Sequence, residues 1–84
     1  MAQLLLSQAA QTELDELPRR VRGRVERALQ RLRSWPEVSG VKPLRWTLVG
    51  RYRLRTGDYR IQFRVEGDAV HVERIGHRDG FYEE

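Results

Sequence analysis

GRYRLRTGDYRIQFRV, residues 50–65, alternates apolar and charged side chains on both sides of a short turn. Before the turn Tyr52 and Leu54 take the even positions and Arg51 and Arg53 the odd ones. After Thr56-Gly57-Asp58, Tyr59, Ile61, Phe63 and Val65 alternate with Arg60, Gln62 and Arg64. Such alternation is the pattern of a strand with one buried face, and a glycine-containing turn between two such runs signals a hairpin. Pairing across the turn collects Arg51, Arg53, Arg60 and Arg64 on one face and the apolar residues on the other. The first strand is expected to start as early as Leu44, with Leu44, Trp46 and Leu48 extending the apolar series and Arg45 the charged one. Gly50 then marks a bulge or bend within it.

Downstream, Glu66-Gly67-Asp68 makes a second tight turn, and Val70 and Val72 keep the alternation into Ile75 and Gly76, a third strand closing the meander. Upstream, the segment from Ser34 to Pro43 holds two prolines, a glycine and Trp35; it reads as a loop, with Trp35 closing the core from one side. Val21, Val25, Ala28, Leu29 and Leu32 recur at the helical period, giving a helix to about Arg33. Pro18 divides it from a first helix, Gln8 to Leu17, in which Ala10, Leu14 and Leu17 share a face and Ser7 is the N-cap. Gln3 to Leu6 is a short apolar run suited to an edge strand. The order predicts an α+β fold: an N-terminal strand and a helical hairpin packed on one face of a small, mostly antiparallel sheet, as a single domain over residues 1–84.

A chain of 84 residues builds a thin core, and without cysteine neither a disulfide nor a thiolate metal site can reinforce it. His71 and His77 stand without a carboxylate cluster beside them, so no metal site is expected, and the single glycines at turns do not form a phosphate-cradling loop. No apolar run approaches the roughly 20 residues that span a bilayer, and residues 1–7 lack the features of a secretory signal, which predicts a cytoplasmic protein with no membrane partner. Sixteen Lys plus Arg against twelve Asp plus Glu give a net charge of +4, and Lys42 is the single lysine. Arginine grips phosphate in bidentate fashion, although high genomic GC content also explains a bias toward it. Arg20, Arg24, Arg27 and Arg31 line the outer face of the second helix, the ordinary pattern of a solvated face. The arginines of the open sheet face repel one another and call for an anion. The alternative is neutralisation by Glu66, Glu73 and Asp79 as surface ion pairs of little individual worth.

Residues 50–65, followed by VHVERIGHRDGFY at 70–82, resemble the signature half of RelE-type toxins in the RelE/ParE superfamily. In that family a helical hairpin precedes a strand pair of the pattern Y-R-L-R then G-D-Y-R, and the last strand ends in glycine, a basic residue, arginine and a nearby tyrosine. The resemblance implies a type II toxin–antitoxin toxin that needs no cofactor: an endoribonuclease, or mRNA interferase, that inhibits translation by cleaving mRNA in the ribosomal A site. Its implied partners are the ribosome, that mRNA and a cognate antitoxin. The implied reaction is attack of a 2′-hydroxyl on the adjacent phosphate, leaving a 2′,3′-cyclic phosphate and a 5′-hydroxyl. A phosphorane concentrates negative charge, and fixed cations stabilise it. By position in the motif, Arg60 and Arg78 correspond to the phosphate-stabilising arginines, and Arg51 and Arg53 to basic residues of the preceding strand that are often lysines in the family. Arg45, Arg55 and Arg64 would hold the RNA backbone.

Tyr82 matches the family's C-terminal tyrosine, placed either to stack on an unstacked base or simply to pack. His77 stands where some members carry lysine; its ordinary pKa of about 6.5 suits a general acid or base, and a surface role is equally open. Only Glu83 and Glu84 follow Tyr82, fewer residues than in members that continue into a C-terminal helix. Two rival readings share the fold: a ParE-like protein ligand that inhibits DNA gyrase, and a catalytically inert RNA-binding module.

Overall fold

The structure is a computed structural model that describes residues 2–77. It is an α+β arrangement: β1 (Gln3–Leu6), α1 (Gln8–Asp15), α2 (Arg19–Arg31), β2 (Val41–Pro43), β3 (Arg51–Thr56), β4 (Tyr59–Glu66) and β5 (Ala69–His77), with 3₁₀ turns at Leu32–Ser34 and Trp46–Leu48. The five strands form one sheet in the order β1-β5-β4-β3-β2. β1 runs parallel to β5, and the other neighbours are antiparallel. Among the described residues no helix is long and apolar enough to cross a membrane.

Both helices cover one face of the sheet. Ala10 and Leu14 of α1 and Val25, Ala28 and Leu29 of α2 are buried against Leu54, Ile61, Phe63, Val70, Val72 and Ile75. Phe63 lies at the centre, with Trp35 edge-on at 5.5 Å and Tyr52 stacked at 5.6 Å between ring centroids. Trp35 thus closes the core from the loop side as the sequence suggests. Ser7 caps α1 by accepting from the Ala10 amide at 3.0 Å, while its own hydroxyl donates to the Glu73 carbonyl at 3.0 Å. One small side chain therefore starts the helix and fastens it to β5.

β5 carries a bulge that the sequence reading did not anticipate. Gln62 of β4 faces Arg74 and the next residue, Phe63, faces Val72, so Glu73 has no cross-strand partner. The extra residue resets the alternation, and this is why Val70, Val72 and Ile75 all reach the core although their spacing breaks a period of two. Past the bulge β1 has ended, and Glu13 of α1 takes over its pairing role. Its carboxylate accepts from the Ile75 amide at 2.8 Å and from the Arg74 Nε at 3.1 Å.

The expected strand from Leu44 to Leu54 needs correction. Residues 46–48 form a 3₁₀ turn, Trp46 is 80% exposed rather than core, and the strand proper starts at Arg51, after Gly50 at φ 94°. A further strand, β2, lies within the segment read as a loop. It pairs Val41 with Leu54, Lys42 with Arg53 and Pro43 with Tyr52. As a three-residue edge strand, β2 tolerates Pro43, which has no N–H to donate.

Candidate functional site

The face of the sheet opposite the helices holds a register of basic side chains. Arg51 faces Arg64, Arg53 faces Gln62, and Arg55 faces Arg60 across β3 and β4. Lys42 extends the row from β2 beside Arg53, while His71 of β5 lies beside Arg64 and Gly76 beside Arg60. Two cross-strand pairs are therefore arginine on arginine, which costs stability unless carboxylates or a ligand screen them.

Carboxylates screen one end of this face. The bulge turns the Glu73 side chain onto it, where one carboxylate oxygen accepts from Arg51 Nε at 2.7 Å and from Gln62 Nε2 at 3.0 Å. The other oxygen lies 3.5 Å from Arg64 Nε. Glu66 pairs with Arg64 at 3.0 Å and with His71 at 3.3 Å. Neutralisation by Glu66 and Glu73 is thus a structural fact for Arg51 and Arg64; Asp79 lies outside the described residues. The hydrogen bond that Arg51 donates to Glu73, together with the negative charge of Glu73, raises the Arg51 pKa above its ordinary value, which makes Arg51 a fixed cation and not a general acid. Burial pushes the Glu73 pKa up, but hydrogen bonds from Arg51 and Gln62 and the charges of Arg51 and Arg64 outweigh it and hold the carboxyl below its ordinary value.

That depression fixes a pH dependence. A carboxyl with a lowered folded-state pKa stabilises the fold fully above its unfolded value of about 4.5, and the contribution disappears as pH falls through the folded-state value. Glu73→Gln should lose about 1–2 kcal/mol at neutral pH. In urea titrations between pH 7 and pH 3 the gap between variant and wild type is expected to close only below about pH 4.5. A gap that stayed constant over that range would show that the ion pairs contribute nothing.

At the other end of the face stand Arg53, Arg55, Arg60 and Lys42. Arg53 is nearly covered by its neighbours at 9% exposure and so is held in place rather than mobile. A depression of about 350 Å³ opens beside it, lined by Lys42, Pro43, Arg45 and Arg53. Arg45 therefore joins the basic face from the loop, not from a strand. The structure thus brings together Arg51, Arg53, Arg55, Arg60 and Arg64, with Arg45 at the margin. His77 lies elsewhere. Its ring meets Tyr59 edge-on at 5.2 Å, and Tyr59 packs against the core, so the histidine sits on the helix side of the sheet and not among the arginines. The physical reason is again the bulge, which inverts the side on which residues after Glu73 emerge. Arg78 and Tyr82 lie outside the described residues. Gln62, which donates to Glu73, and Lys42, beside Arg53, were not among the predicted site residues, and Glu73 was expected only as one of three neutralising carboxylates rather than as the hub. The signal for Glu73 was the broken parity between Val72 and Ile75.

Residues 4–80 match the family model of the ParE toxin of the type II toxin–antitoxin system parDE. The chain belongs to the RelE/ParE toxin family. No curated protein sequence is similar enough to count as a relative. Among solved structures, this RelE/ParE toxin is similar to a chain of the toxin–antitoxin complex RelBE2 from Mycobacterium tuberculosis: 28% identity, 92% of this chain and 98% of that one covered, TM-score 0.80. A chain of the RelB-RelE antitoxin–toxin complex from Methanococcus jannaschii shares 26% identity over 89% of this chain and 91% of its own, with TM-score 0.70. The isolated E. coli RelE toxin, at 21% identity over 92% of this chain and 84% of that one, shares the fold with TM-score 0.76.

Proposed function

We propose that this toxin is a ribosome-dependent endoribonuclease whose arginine face binds the scissile phosphate of mRNA in the ribosomal A site. The observation that carries this reading is the convergence of Arg51, Arg53, Arg55, Arg60 and Arg64 with Lys42 on the sheet face opposite the helices. Preorganised cations stabilise a phosphorane without reorganising during the reaction. Arg60 is the proposed clamp on the developing charge, joined by Arg78, while Arg51 and Arg53 fix the register of the backbone and Arg45, Arg55 and Arg64 lengthen the basic track. Tyr82 is the proposed partner of a base next to the cleaved bond. A cognate antitoxin, as in the RelB-RelE complexes, is the proposed inhibitor, with acidic residues covering the same face.

The matching family model bears the ParE name, which favours gyrase inhibition as the second reading. One experiment separates the two. The purified toxin is incubated with mRNA on programmed ribosomes, with the same mRNA free, and with gyrase and relaxed plasmid. The nuclease reading expects cleavage with 5′-hydroxyl ends on ribosomes at least about tenfold faster than on free RNA, since so small a chain offers few elements to orient RNA itself. Equal rates on both substrates refute ribosome dependence. Blocked supercoiling with intact mRNA establishes the gyrase reading instead.

A further inference from the structure

The loop between β2 and β3 holds an aromatic side chain in an unusual position. Trp46 is 80% exposed and its backbone sits at φ 60°, the left-handed region that a bulky residue rarely adopts. Main-chain bonds close the loop without the indole: the Leu44 amide donates to the Arg51 carbonyl at 2.9 Å and the Leu48 amide to the Arg45 carbonyl at 3.0 Å. The core anchor of this segment is Leu44, which is buried. An exposed indole on a left-handed residue, serving neither the core nor the loop closure, points to a ligand outside the fold.

Its neighbours indicate which ligand. Arg45 lines the depression shared with Lys42 and Arg53, whereas Thr47 and Leu48 line a second one of about 490 Å³ shared with Arg51, Gln62, Glu73 and Arg74. Trp46 stands in the chain between the residues that border these two depressions of the arginine face. We propose that Trp46 is a stacking platform for an unpaired base of a single-stranded RNA whose phosphates follow that face. This rests on the reading of the face as an RNA site. Proteins that hold single strands combine a cationic track for the backbone with an aromatic surface for the bases, and these two elements meet here. An apolar partner helix fits less well. It needs several anchors in a groove, and the one other large apolar side chain exposed in this loop is Val49.

The test uses the full chain with Trp35→Phe, so that Trp46 is the sole indole, and an RNA oligonucleotide carrying 2′-O-methyl groups that prevent cleavage. At fixed salt, binding should quench the indole emission and shield it from acrylamide. Trp46→Ala should weaken binding of the labelled oligonucleotide about tenfold, and Trp46→Phe should retain most of it. On ribosomes the alanine variant should lose affinity with kcat largely kept. The proposal is overturned if Trp46→Ala binds as tightly as wild type, if the indole stays open to acrylamide in the complex, if the oligonucleotide does not bind, or if the antitoxin alone shields it. Failure of the nuclease reading shows separately, as intact ribosome-bound mRNA with wild-type toxin.

Discussion

Phe63→Ala is expected to lower stability by about 3–5 kcal/mol, the usual cost of truncating a buried aromatic side chain. Phe63 is completely buried, faces Tyr52 on β3 and Val72 on β5, and carries Trp35 and Tyr52 on its ring. Removing it leaves a cavity at the point where the sheet, the loop and the helices meet, and the aromatic pair contributions are lost with it. Small domains hold roughly 5–15 kcal/mol in all, and a chain of 84 residues without disulfides belongs at the lower end. The variant should therefore melt near or below ambient temperature. Urea unfolding followed by far-UV circular dichroism measures the loss, with Val65→Ala, a partly buried position on the same strand, as the comparison. A loss below about 1 kcal/mol for Phe63→Ala would mean that the aromatic cluster is not the centre of the core.

The hairpin of β3 and β4 was legible because its alternation and its Gly57-Asp58 turn agree, and two consistent local signals specify a register. The same logic explains the failure before it. Leu44, Trp46 and Leu48 keep the parity of a strand, yet a 3₁₀ turn intervenes and Gly50 breaks the run, so the pattern was partly coincidental. β2 escaped notice because three residues ending in proline carry no period at all. Its pairing is set by contacts with β3 that are remote in sequence.

The site divides along similar lines. Arg51, Arg53, Arg60 and Arg64 share a face because strand geometry alone puts them there, so their convergence could be read from spacing. The bulge at Glu73 could be seen only as a conflict: Val70 and Val72 against Ile75 cannot share one face of an unbroken strand. Resolving that conflict moves Glu73 onto the arginines and His77 away from them.

Arg60→Ala is expected to lower cleavage of ribosome-bound mRNA by about 10²–10³-fold, the loss typical of removing one preorganised donor from a site that stabilises developing negative charge. Arg60 lies across from Arg55 on one side and Gly76 on the other, and a methyl group built on Gly76 would meet none of the described residues within 4 Å. Gly76 thus places no side chain beside Arg60, in keeping with the proposed phosphate site. A donor that acts in the transition state lowers kcat and kcat/KM together when it is lost, whereas a merely attractive surface charge raises KM with kcat kept. Arg60→Lys keeps the charge but not the planar fork, so it should recover only part of the rate. Because the side chain projects from the face opposite the core, the melting curve of Arg60→Ala should stay close to that of the wild type, and this control distinguishes lost chemistry from lost fold. Wild-type cleavage by the folded alanine variant would remove Arg60 from the mechanism. An unchanged kcat with raised KM would leave Arg60 a role in holding the RNA and assign the charge stabilisation to another group.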